Sequence, residues 1–151
     1  MKKDTGQAQE LAIIAGGKVE ALFSGVLGAL TALNERLVAL RGAIRESQKG
    51  QTPLVLLALY GCGDKCSGCP HPRWMHFSIV ENKDGKTMPK GVTLAKTGQD
   101  PVLLLPRKNT NFRETATLIR EAKEVLRKRK DLLGAIKKLG QRAGFKQEEG
   151  I

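Results

Sequence analysis

The sequence predicts an α+β fold: two long helices, an N-terminal coiled-coil-like one and a C-terminal basic one, flanking a small zinc-stabilised β-hairpin. Three observations carry that expectation. Apolar residues recur at steps of three and four through the first part of the chain, as on one face of a helix. A short unbroken apolar run and a turn signal follow in the middle. A second stretch of helical spacing comes after them, and its charged positions are mostly Lys and Arg.

The first segment, residues 5–48, places Val19, Leu22, Val26, Leu30, Leu33, Leu37, Leu40 and Ile44 on one seam. Alternating steps of three and four form the stripe by which one helix packs on another. Glu20, Glu35, Arg36, Arg41, Arg45 and Glu46 take outward positions. The adjacent pair Gly16 and Gly17 is expected to start or bend the helix, because glycine is a poor helix former. Gly25 and Gly28 weaken it or admit a close helix contact, and Gly50 is the expected stop. A seam this long exceeds what a small central region can cover. It therefore predicts self-association, as a homodimer through Val19 to Ile44.

The second segment, residues 51–108, begins at Pro53, which ends any helix. Leu54 to Tyr60 reads as a short strand buried on both faces, and Trp74 to Val80 as a second strand. Asn82, Lys83, Asp84 and Gly85 give a turn, hence a hairpin. Lys86 to Asp100 reads as loop, with a strand near Val92 to Leu94. Pro101 to Leu105 reads as a further strand.

The third segment, residues 110–140, opens on Asn111 and Glu114, the spacing of a capping box. Its apolar seam is Thr115, Ile119, Ala122, Leu126, Leu133 and Ile136, and Gly140 marks its end. The tail, residues 141–151, reads as disordered. No internal repeat or low-complexity tract is present.

The middle segment carries the sharpest chemical signal. The residues run Gly61-Cys62-Gly63-Asp64-Lys65-Cys66-Ser67-Gly68-Cys69-Pro70-His71, and the chain has no other cysteine. An odd number of cysteines in one tight cluster is a poor disulfide framework and a good metal site. Zinc takes four N or S ligands in a tetrahedron. Cys62, Cys66, Cys69 and His71 supply them, with His76 as the alternative fourth ligand. The glycines allow the tight backbone turns of a knuckle, and Pro70 stiffens the chain before His71. The rival readings are three reduced thiols in a loop and an iron–sulfur cluster. The cysteine spacing is also that of radical S-adenosylmethionine enzymes, but those need a long α/β barrel that this chain lacks. A closed four-ligand site has no open position for a reacting water. Asp64 is the only acid inside the cluster, so the expectation is a structural metal and no enzyme.

These residues resemble an uncharacterised group of small bacterial proteins carried on phages and other mobile elements, in which a cysteine cluster precedes a His-Gly-Pro-Tyr step. The resemblance rests on Cys62, Gly63, Cys66, Cys69, His71, Pro72 and Trp74, and its span is about residues 54–139. The cysteine gaps differ here, and Arg73-Trp74 stands in place of the tyrosine step. The resemblance implies a mobile-element setting and no particular activity.

Charge supplies the second functional signal. Lys and Arg number 26 against 15 acids, for a net charge of +11. Such an excess draws polyanions. Arg120, Lys123, Arg127, Lys130 and Lys137 share one face of the third segment, and Arg127 to Lys130 is an unbroken basic block that includes Lys128. Such a stripe binds phosphates without reading sequence. Arg73 and Trp74 add a phosphate contact and a stacking face. The expected partner is therefore nucleic acid, DNA or RNA, with a solvated helix face as the rival reading. A protein-interaction adaptor is a second function class, since coiled helices and a zinc knuckle also dock on proteins. No secretory signal is legible, because Lys18 and Glu20 break the apolar run. Ala21 to Leu33 falls short of the ~20 residues that span a bilayer. The sequence thus predicts a cytoplasmic protein with no membrane partner.

Overall fold

In order along the chain come helix α1 (Asp4–Ser47), strands β1 (Leu54–Tyr60), β2 (His71–Glu81) and β3 (Thr87–Thr93), a short 3-10 helix (Pro101–Leu104) and helix α2 (Phe112–Arg142). The structure, a computed structural model, describes residues 4–61, 69–94 and 100–142; the side chains of residues 4–16 and 19 lie outside that description. The α+β class and both long helices match the sequence pattern. The expected disordered tail lies outside the described residues from residue 143 onward.

Helix α1 runs unbroken through Gly16 and Gly17, against the expected start or bend. No atom comes within contact of a Cβ built at Gly25 or Gly28, so neither marks a close crossing among the described residues. The helix ends where Gly50 takes a φ of 75°, a left-handed conformation that costs glycine little. The chain divides after Ala32 into two units. In the first, Leu22 and Phe23 are 69% and 54% exposed, and Leu27 is also exposed.

The second unit holds the core. Leu37, Leu40 and Ile44 of α1 pack with Val55 and Leu57 of β1, with Leu105, and with Ala116, Ile119, Ala122 and Val125 of α2. Trp74, Phe112, Leu118 and Leu126 pack around them, partly buried. Leucine, alanine, valine and isoleucine fill the interior, as a sequence with 4% aromatics requires. The lower part of the α1 seam is therefore consumed by the fold. Of the interval Val19 to Ile44 expected to self-associate, Leu37, Leu40 and Ile44 face their own core and are at most 1% exposed.

A buried polar clamp joins α1 to the sheet and to α2. Gln48, fully buried, accepts from the Val55 backbone N–H through Oε1 at 2.8 Å and donates through Nε2 to the Val55 carbonyl at 2.6 Å. The Ser47 and Thr115 hydroxyls share a hydrogen bond of 2.7 Å. The side-chain amide of Asn111 donates to the Ser47 carbonyl at 3.1 Å. Asn111, expected as a cap of its own helix, thus ties α2 to the end of α1.

The sheet has the order β1-β2-β3, antiparallel throughout. It exceeds the expected hairpin by one strand, because β3 spans the whole of Thr87–Thr93 rather than a few residues near Val92. Gly91 faces Phe77 in register, and a Cβ there would stand 2.8 Å from the Phe77 ring. The strand therefore needs glycine where the ring crosses it. Val55 and Leu57 point to the helices with their partners His76 and Trp74. Leu54 and Leu56, on the other face, are only half-buried. The expected burial of β1 on both faces is thus full on one face alone.

The expected strand at Pro101 to Leu105 is a 3-10 turn instead. The Asp100 carboxylate accepts from the Val102 N–H at 3.1 Å, and Pro101 occupies the first helical position. A side-chain cap and a proline with its φ already fixed favour a helical turn over a strand.

Candidate metal loop and basic groove

Strand pairing brings the two ends of the cysteine segment together. Tyr60, the last residue of β1, faces His71, the first of β2. Residues 61–70 bridge this closed end of the ladder, so all three cysteines lie on one short connection. Cys62 stands two residues beyond Tyr60 and Cys69 two residues before His71. Cys62 and Cys66 lie outside the described residues. Among the described residues, no group of three or more His, Cys, Asp or Glu side chains gathers to hold a metal ion. Cys69 is half-buried.

His71 and His76 occupy different places. His71 sits at the mouth of the connection, its ring centroid 5.8 Å from that of Tyr60. His76 lies five residues further along β2, opposite Val55 and Val92. At a strand rise of about 3.3 Å per residue, that is roughly 16 Å from His71.

Helix α2 presents its cations beside the same mouth. Arg120, Lys123, Arg127, Lys128, Lys130 and Lys137 are all exposed. Lys123 pairs with Asp100 at 3.3 Å. Arg127 pairs with Glu124, and with Asp131 at 3.0 Å. Its hydrogen bond holds the Glu124 carboxyl below the ordinary range, and the same bond raises the Arg127 guanidinium. Such exposed pairs contribute little and open readily. Among the described residues, no carboxylate pairs with Arg120, Lys128, Lys130 or Lys137.

A groove of about 550 Å³ joins the two features, lined by His71 and Pro72 of β2 and by Lys123, Leu126, Arg127, Arg129, Lys130 and Leu133 of α2. Its floor is mainly apolar and its rim is cationic. Arg73 stands elsewhere. Strand alternation puts it with Tyr60 on the sheet face turned away from the core. There its guanidinium lies 4.6 Å from the Tyr60 ring centre and donates to the Tyr60 hydroxyl at 2.8 Å. The structure does not bring Arg73 to the cations of α2. Trp74 is half-buried and packs against the core.

Sequence reasoning missed Arg129. It stands in the basic block, yet it is only 5% exposed, and its Nε donates to Asn34 Oδ1 of α1 at 2.7 Å. Burial pushes its guanidinium down, and the charge of Cys69 pushes it back up. The signal was present in the spacing, since position 129 falls seven after Ala122 and four after Val125, on the buried face.

Helix α1 also bears on the membrane expectation. Its stretch Glu20–Ser47 contains 18 consecutive residues with a mean hydropathy of 1.2, long and apolar enough to cross a membrane by length and composition alone. Within that stretch, Leu37, Leu40 and Ile44 are core residues of the second unit.

No family model matches the chain, and no curated protein or solved structure is similar to it.

Proposed function

We propose that this is a non-enzymatic, zinc-containing protein that binds nucleic acid, DNA or RNA, through the basic face of α2. In the mobile-element setting that the cysteine cluster suggests, it would serve as a cytoplasmic regulator or accessory factor. One observation carries the reading. Arg120, Lys123, Arg127, Lys130 and Lys137 stand exposed along one flank of a single helix. Phosphate neutralisation by such a face releases counterions, so affinity falls steeply with salt.

The test is oligonucleotide binding across a salt series. With three to five phosphates engaged, a log–log slope of about −2 to −4 is expected. The double reversal Lys130→Glu with Lys137→Glu should lower affinity for every sequence and flatten the slope by about 2. Binding that ignores salt, or survives the reversal unchanged, would sink the proposal.

Zinc belongs to the same reading. Cys62, Cys66, Cys69 and His71 are the ligands, and the pairing of Tyr60 with His71 supports their convergence at one strand end. Strand geometry favours His71 over His76, because roughly 16 Å of strand separates His76 from the loop. When bound, zinc would cross-link the connection between β1 and β2 and contribute its binding energy to folding. Protein purified without oxygen should contain one zinc per chain and be colourless, and Cys69→Ser should lower the zinc content. A brown protein with iron and sulfide would replace zinc with an iron–sulfur cluster. A metal-free protein would remove the metal from the reading and leave the basic face.

A second reading, self-association or docking on another protein, draws on the exposed Leu22, Phe23 and Leu27 of α1. A mass in solution that rises with concentration would support the homodimer, and a constant monomer mass would dismiss it.

A further inference from the structure

We infer that the groove between the mouth of the cysteine loop and α2 selects single-stranded nucleic acid over duplex. It would take one unstacked base on Leu126, Leu133 and Pro72, with the adjoining phosphates on Lys123 and Lys130. The inference rests on the nucleic-acid reading above and adds the class of strand.

The argument starts from the mismatch between floor and rim. A cationic helix face suffices for a duplex, which offers phosphates on a convex ridge and keeps its bases stacked inside. Apolar walls gain nothing from that ridge. Here the cations border a concavity of about 550 Å³ whose walls are Pro72, Leu126 and Leu133. That volume lies in the range of sites that enclose a small planar ligand, mostly apolar with a few polar groups that fix orientation. A single strand presents both halves of the match, a charged backbone and bases free to leave the stack.

The rim charges are not equivalent. Arg127 is held by Glu124 and Asp131, which would face an incoming phosphate with like charge. Lys130 has no such neighbour among the described residues, and Lys123 has only Asp100, at 3.3 Å. Lys130 therefore supplies the free positive charge, and Lys123, on the other side of Arg127, adds a charge shared with Asp100 alone. His71 adds a ring at the same edge. Arg129 closes the groove from below, its Nε anchored on Asn34, so that part of the wall is fixed before any ligand arrives.

The pattern also argues against an acidic peptide. Peptide carboxylates would satisfy the rim, but they bring no flat apolar group of base size at each charged step. The second groove, bordered by Leu54, Leu56, Phe77, Ile79 and Pro89, has Arg45 as its only cation. It lacks the charge that would recruit a polyanion.

The test uses the 151-residue chain as purified and fluorescence anisotropy with a 20-nucleotide oligothymidine and a 20-base-pair duplex at one salt concentration. One buried base should favour the single strand by about tenfold. Leu133→Ser should weaken single-strand binding about fivefold and leave duplex binding unchanged. Lys130→Glu should weaken both. Equal affinity for the two nucleic acids would overturn the groove inference and leave the nucleic-acid reading standing. So would a Leu133→Ser variant that shifts both equally, or polyglutamate displacing the strand as well as oligothymidine does. Binding to neither nucleic acid would overturn the nucleic-acid reading and this inference with it. The comparison on the unaltered protein needs no variant to fold.

Discussion

The upper and lower stretches of α1 carry the same seam and meet opposite fates. Leu22, Val26 and Leu30 follow the same three–four rhythm as Leu37, Leu40 and Ile44. The second trio is essentially buried. In the first, Leu22 is 69% exposed and Val26 and Leu30 are half-buried. Periodicity therefore specifies which face of a helix is apolar, and the tertiary fold decides whether that face is covered. Where cover exists, it comes from β1 and α2, which bring Val55, Leu57, Ile119 and Ala122 to the lower stretch.

Truncation sharpens this contrast most. Ile44→Ala should cost about 2–5 kcal/mol, since it empties a fully enclosed site. Leu22→Ala should change the monomer by less than about 0.5 kcal/mol. Urea unfolding of the two variants measures both, and equal losses would mean that the upper stretch is covered as well. Next in size is Gln48→Leu, which leaves the buried N–H and carbonyl of Val55 without their partner. A loss of about 1–3 kcal/mol is expected, and amide exchange should accelerate at Val55 ahead of Leu56, whose N–H faces β2. The smallest stability effect belongs to the double change Leu22→Gln with Leu27→Gln. Thermal unfolding of the dilute protein should stay within about 0.5 kcal/mol. If the upper seam joins two copies, the same change should abolish any concentration dependence of the mass measured by light scattering.

The parts of the fold that were legible are those fixed by local pattern. Steps of three and four gave both helices, and the turn at Asn82 to Gly85 gave the β2–β3 connection. The Asn82 side chain accepts from the Asp84 and Lys86 N–H groups there, and Gly85 takes a φ of 75°. What was not legible depends on distant partners. Strand β3 contains Pro89, Lys90 and Gly91, a poor strand sequence by itself, and its length is imposed by pairing along β2. Pro101 to Leu105 is too short for its period to separate strand from helix, and the Asp100 cap decided it. Gln48 reads as an ordinary polar residue after a helix, yet it is fully buried.

The candidate site divides the same way. The cysteine spacing marks Cys62, Cys66, Cys69 and His71 as candidate ligands, and the cations of α2 follow from helical spacing. Their meeting at His71 and Pro72 depends on the antiparallel register of β1 with β2 and on the packing of α2, neither of which a local pattern encodes. Arg73 shows the converse. It is adjacent to Pro72 in sequence, but one step of strand alternation carries it to the other face of the sheet, onto Tyr60.

The Gln48 clamp has one more effect, on what the sheet cannot do. An outer strand with open N–H and carbonyl groups is a template on which another chain can polymerise. At Val55, the side-chain amide of Gln48 fills both positions that an added strand would use. On the opposite border, Pro89 withholds a donor from β3. One margin is occupied by an amide at Val55 and the other interrupted by an imino acid at Pro89, and both disfavour the addition of a further strand at those positions.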